Sequence, residues 1–155
     1  MAQVACNINL GLSINTATMS QIISNLNVDN VNPPFSNPLL IAPETFSFAF
    51  QGNAVTCIFN NAASGFGETV LPTWASISQG ILNICGSVGG SENIVGLTGL
   101  VLVVENAQIG FGTCGIQAET VAVELGHPND PSTLVTGVVA ANGTVLSVTK
   151  HSINN

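Results

Sequence analysis

The sequence predicts an α+β fold, with two short helices packed on one face of a largely antiparallel β-sheet, in a single domain spanning residues 1–155. Apolar residues recur at helical spacing in two stretches, Asn15–Leu26 and Leu71–Gly86. Period-two alternation and turn signals fill most of the rest of the chain. Helices kept apart from runs of strand are the pattern of an α+β sandwich.

Ala2–Leu12 places Val4, Cys6, Ile8 and Leu10 in strict alternation, which predicts a strand. Asn15–Leu26 opens on capping residues and sets Met19, Ile22, Ile23 and Leu26 on one helical face. Asn27–Pro43 holds Pro33, Pro34, Pro38 and Pro43 and has no period, so it reads as a long extended connection pinned by Phe35, Leu39, Leu40 and Ile41. Thr45–Phe59 is the clearest strand signal. Phe46, Phe48 and Phe50 alternate with Ser47 and Ala49, Gln51-Gly52-Asn53 turns the chain, and Val55, Cys57 and Phe59 answer. Such an aromatic row serves either as a core face or as a ligand platform. With no charged residue interleaved, it reads as core. Asn60–Thr69 reads as a loop of small residues.

In Leu71–Gly86, Trp74, Ile77, Ile81 and Ile84 line one helical face, Pro72 suits a first turn, and Gly86 suits a C-terminal cap. Trp74, the only tryptophan, is placed as the plug between helix and sheet. Ser87–Asn93 reads as a Gly/Ser loop, and Ile94–Val104 as a central, β-branched strand. Glu105-Asn106 then turns the chain into a returning strand, Ala107–Cys114. Ile116–Leu125 alternates again, and Gly126–Pro131 is a turn. Leu134–Thr149 reads as a hairpin about Asn142-Gly143, a type I′ signature, and Lys150–Asn155 as a frayed tail. A helix followed by a hairpin occurs at 16–26 and 45–59 and again at 72–85 and 97–114, a weak internal repeat.

Composition narrows function more than motif does. Charged residues make up only 6% of the chain, and the formal charge is −7 with a single basic residue, Lys150. Phosphate binding needs several Lys or Arg, so nucleic-acid partners are excluded, and docking to anionic membrane is disfavoured. No apolar run reaches the length of a membrane span.

Four cysteines, Cys6, Cys57, Cys85 and Cys114, are widely spaced, with no CxxC pair of the kind that holds zinc. An even count on a chain poor in Lys and rich in Asn, Ser and Thr predicts two disulfides and a secreted protein; four buried free thiols are the bland alternative. Four cysteines allow three connectivities. The favoured one joins Cys85 with Cys114, tying the Trp74 helix to the sheet, and so leaves Cys6 with Cys57. MAQVAC lacks the features of a signal peptide, and the expectation is a mature secreted chain whose leader has been removed, behind an added Met-Ala. Asn142-Gly143-Thr144 is the one N-x-S/T sequon and makes Asn142 the candidate glycan acceptor, although Asn-Gly also suits a turn on backbone grounds alone.

No catalytic, cofactor-binding or metal-binding residue is nominated. The two histidines, His127 and His151, read as exposed. No GxSxG surrounds a serine, and no DxDxDG run supplies calcium ligands. Glu119 and Glu124 differ by an odd number, so a regular strand points them to opposite faces.

The step Gly112-Thr113-Cys114-Gly115, with the helix Trp74–Cys85 ahead of it, resembles small secreted fungal proteins of the killer-toxin-like and necrosis-inducing-effector type. The likeness covers Pro72–Val123, about a third of the chain, and departs from those proteins in having fewer cysteines and less surface charge. It implies a non-enzymatic protein acting on other cells and carries over no active-site residue. The expected function is therefore binding, to a cell surface or a protein partner. A self-assembling extracellular structural protein, with homo-oligomers, and a carbohydrate-binding module using Asn and Gln are the alternatives.

Overall fold

A computed structural model describes residues 4–7, 13–28, 31, 35–62, 65–93, 100–106, 132–140 and 142–152. The strands expected at 107–114 and 116–125, the turn at 126–131, His127, Cys114 and the 112–115 step lie outside these residues.

The chain forms β1 (Val4–Cys6), α1 (Thr16–Asn27), β2 (Leu39–Ile41), β3 (Thr45–Gln51), β4 (Ala54–Asn60), β5 (Gly67–Thr69) and α2 (Leu71–Cys85). A single 3-10 turn, Gly86–Val88, leads to β6 (Gly90–Asn93), and β7 (Leu100–Asn106), β8 (Thr133–Ala140) and β9 (Val145–Ser152) follow. Among the described residues, seven strands make one antiparallel sheet in the order β1-β6-β7-β4-β3-β8-β9, and β2 pairs with β5 in a separate two-stranded sheet.

Helix α1 begins as its sequence predicts. The Asn15 side-chain oxygen accepts the Thr18 N–H at 3.1 Å and satisfies one otherwise unpaired first-turn donor. Thr18, Met19, Ile22, Ile23 and Leu26 are its buried face. The entry to α1 is pinned from the sheet, because Asn53 and Asn106 both donate side-chain N–H groups to the Ser13 carbonyl, at 3.2 and 2.8 Å.

Helix α2 buries Leu71, Trp74, Ala75, Ser78, Ile81 and Leu82. This corrects the expected face. Ile77 is half-buried, and Ile84 is 66% exposed. Ile84, six residues on from Ser78, comes round roughly 120° away and leaves the core. Trp74 is fully buried, packs on Phe35 with ring centroids 5.6 Å apart, and donates its indole N–H to Thr56 Oγ1 at 3.1 Å. Thr56 in turn shares a hydrogen bond with Ser78 Oγ at 3.0 Å.

Both helices lie on one face of the sheet, packed over Ala49, Ala54, Ile58, Leu102, Val104 and Leu134. Phe46, Phe48 and Phe50 point to the opposite face, where they pack with Val55, Cys57, Val103, Val135 and Val139 in a second core. The phenyl row is thus core, as its alternation predicts, yet it is not the surface on which Trp74 sits.

Several expectations give way to tertiary pairing. The Gly/Ser loop at 87–93 is largely β6, a strand held between β1 and β7 by ladders on both sides rather than by its own propensity. Glu105 and Asn106 do not turn. They extend β7, buried, opposite Val55 and Ala54 of β4. The two supposed connections 27–43 and 60–69 contribute β2 and β5. The β8–β9 hairpin departs from the expected two-residue turn about Asn142-Gly143, which would pair residue 141 with Thr144. Gly143 has φ 89°, but the Gly143 N–H bonds the Ala140 carbonyl and the Ala140 N–H bonds that of Thr144, so the hairpin does not close directly about Asn142-Gly143. Lys150, His151 and Ser152 belong to β9.

The disulfide pairing is also corrected. Cys6 is bonded to Cys85, with Cα atoms 5.3 Å apart, so the favoured pairs Cys85–Cys114 and Cys6–Cys57 do not form. The sheet order explains why. β1 pairs with β6 so that Cys6 lies opposite Gly90, just beyond the end of α2. Cys57 is disulfide-bonded too, and is fully buried on the phenyl face.

Replacing Trp74 by Ala removes the largest side chain of the core and leaves the Thr56–Ser78 pair without its indole donor. Trp74→Ala is expected to cost about 3–5 kcal/mol in chemical denaturation. Wild-type stability in that variant would mean that the indole does not plug the helix–sheet interface.

Candidate functional site

Most large apolar side chains of the described residues are buried, so the exposed ones identify surfaces. Three of them share one face. β2 pairs antiparallel with β5 in the register Leu39↔Thr69, Leu40↔Glu68, Ile41↔Gly67. Leu39, Ile41 and Thr69 are buried, so alternation turns Leu40 and Glu68 outward. The same parity carries to Phe66 and Val70, just beyond the ends of β5. Leu40 is 58% exposed, Phe66 70% and Val70 41%. The outer face of this small sheet is therefore an apolar patch, Leu40, Phe66 and Val70, around one carboxylate, Glu68.

The ledge is held firmly from behind. Asn60, at the end of β4, is 2% exposed. Its side-chain amide donates to the Ile41 carbonyl at 2.9 Å and the Gly65 carbonyl at 3.0 Å, and its oxygen accepts the Ala62 N–H at 3.0 Å. One side chain thus ties β2 and the approach to β5 to the main sheet. Asn37 takes the Leu71 N–H at 3.1 Å, so the segment ahead of β2 also caps α2.

A second surface is a groove of about 570 Å³ between α1 and α2, lined by Ser20, Ser24 and Asn27 from one helix and Ser76, Gln79 and Asn83 from the other. Ile23 and Ala75 add apolar wall, and no charged residue lines it. Gln79 donates to Asn83 Oδ1 at 2.8 Å.

The candidate glycan acceptor Asn142 is exposed on the β8–β9 loop, where its side-chain oxygen takes the Thr144 N–H at 3.0 Å. His151 departs from the exposed histidine expected. It is half-buried in β9, with Nε2 3.0 Å from Thr136 Oγ1 of β8. Burial pushes its pKa below the usual 6.5. Among the described residues, no group of His, Cys, Asp and Glu is arranged to hold a metal ion, and no helix is long and apolar enough to cross a membrane.

The apolar patch is the residue set that sequence reasoning missed. Leu39, Leu40 and Ile41 read together as anchors, although only the outer two are anchors. The available signal was Phe66, a lone aromatic in a loop of small residues. No family model matches the chain, and neither a curated protein nor a solved structure matches it.

Asn60→Ala leaves the Ile41 and Gly65 carbonyls without their donor and is expected to cost about 2–3 kcal/mol. Phe66→Ser, on the exposed side of the same ledge, is expected to change stability by less than about 0.5 kcal/mol. Paired denaturation curves check both, and a similar cost for the two variants would count against the ledge as described. For His151, the unfolded imidazole titrates near 6.5 and the folded one below it, so the unfolded chain binds more protons. Stability is therefore expected to fall as pH drops through about 6.5, and less steeply in His151→Gln. Identical pH dependence in the two chains would clear the imidazole of this role.

Proposed function

We propose that this is a secreted, non-enzymatic protein that acts by binding to other cells or their surfaces, as an effector, toxin or defence protein. The observation that carries the reading is the apolar patch of Leu40, Phe66 and Val70, three exposed side chains on one face of a small sheet that Asn60 ties to the main one. Aromatic side chains on a fixed ledge supply contact area with little ordering cost, which is how a small interface gains affinity. Oxidised cysteines agree with an extracellular setting. The likeness of Trp74–Cys85 and the 112–115 step to killer-toxin-like and necrosis-inducing fungal proteins points to the same class, and a glycan on Asn142 is part of this reading.

The low charge and the scarcity of basic residues speak against nucleic acid as the partner. A protein or glycoprotein on a cell surface fits an apolar patch with a polar rim. A second reading, an extracellular self-assembling protein, is favoured by β9. This eight-residue strand is the last in the sheet order, and Val145 and Leu146 are exposed on it. The uncharged groove between the helices is where a carbohydrate-binding module would use Asn27, Gln79 and Asn83.

Labelled protein applied to a panel of plant and competing microbial cells is expected to bind saturably or to provoke a response. The double variant Leu40→Ser/Phe66→Ser is expected to keep its fold and lose about thirtyfold or more in affinity, the loss typical of an interface hot spot. Absence of binding and response across the panel, or unchanged binding by the variant, would overturn the reading. Light scattering and electron microscopy at high concentration test assembly, and a strictly monomeric species removes it.

A further inference from the structure

We propose that the Cys6–Cys85 disulfide is a reducible clip, opened by an external dithiol while the rest of the fold stays closed, and that opening it frees β1 and bares the edge of β6. The cysteines differ in access. Cys6 is exposed and Cys85 half-buried, whereas Cys57 is fully buried. Thiol–disulfide exchange needs a thiolate to reach a sulfur, so it discriminates on access.

Besides the clip, β1 has few anchors, of which the half-buried Val4, packed on the helix-side core, is the apolar one. The strand is three residues long and, among the described residues, sits at the edge of the sheet, with Ala5 and Cys6 exposed. Beyond its short ladder to Gly90, Ser91 and Glu92, it continues into two hydrogen bonds from Asn7, backbone to the Gly89 carbonyl at 2.9 Å and side chain to the Val88 carbonyl at 3.1 Å. The clip lies directly on β6. A Cβ placed on Gly90 would come within 2.9 Å of Cys85 Sγ and 2.5 Å of the Ala5 carbonyl oxygen. Helix α2 has its own anchors in Trp74, Ile81 and Leu82 and does not depend on β1.

The exchange runs in two steps. One thiolate of a dithiol attacks Cys6 Sγ, the S–S bond breaks, and Cys85 leaves as a thiolate that takes a proton. The second thiol of the reagent then displaces Cys6 from the mixed disulfide. Two electrons and two protons pass to the protein, Cys6 and Cys85 end as thiols, and the dithiol ends as a cyclic disulfide. β6 then presents Gly90–Asn93 as an open edge, which accepts an added strand.

The test is graded dithiothreitol under native conditions, followed by alkylation and peptide mapping, with hydrogen exchange on the same samples. Cys6 and Cys85 are expected to label at least about tenfold faster than Cys57, with Trp74 emission unchanged and exchange rising at residues 4–7 and 90–93. Equal labelling of Cys57, a shift of Trp74 emission in step with alkylation, or unchanged exchange at those residues would overturn the proposal. So would failure of Cys6→Ser/Cys85→Ser to fold, because the clip is proposed to be dispensable for the core. Loss of cell binding in the reduced protein does not enter this test, which stands apart from the proposed function.

Discussion

All seven residues of β3 are buried, and nearly all of β4. A strand pair buried on both faces has no side on which to hide a polar side chain from the core, and the rest of the molecule is arranged around that constraint. Each polar residue must carry its own partner inward. Thr56 meets the Trp74 indole and Ser78, Gln51 meets Gln21 of α1, and Asn60 meets the carbonyls of Ile41 and Gly65. These bonds fix where α2, α1 and the β2–β5 ledge attach. Apolar residues fill the remaining positions, and they set the face of contact without setting its register.

The helices and the central hairpin were legible because their signals are local. Asn15 announces α1, and the alternation Phe46-Ser47-Phe48-Ala49-Phe50 announces β3. Gly52, with φ 58°, supplies the positive first position of the two-residue turn between Gln51 and Ala54. What escaped was short or distant. β2, β5 and β6 have three or four residues each, and their strand character comes from partners far along the chain. Ser91 and Glu92 carry no β-propensity, yet they are flanked on both sides by ladders. The disulfide pairing follows from placing β1 beside β6, a choice made by the whole sheet and invisible in cysteine spacing. The patch needed the same kind of information. Leu40 turns outward only because β2 pairs with β5 in one register and not in the neighbouring one.

Eight acidic residues against one basic leave a net charge of −7, so the long-range field is of one sign and disfavours anionic partners. Charged pairs can contribute little at close range, where recognition rests on apolar and uncharged polar contact. The apolar ledge and the uncharged groove are two of the contact surfaces among the described residues, and they lie on different elements. That separation makes their roles independently removable.

The position of Lys150 bears on how the protein meets proteases. It is the chain's only basic residue, so the Lys150–His151 bond is the only one that trypsin-like proteases recognise. That bond lies inside β9, where Lys150 pairs with Val135 and His151 with Leu134 across the ladder to β8. A protease must draw this segment out into an extended, unpaired form before cutting it. Resistance to that whole class of enzymes is thus written into composition and register together, and it lasts as long as β9 stays paired with β8.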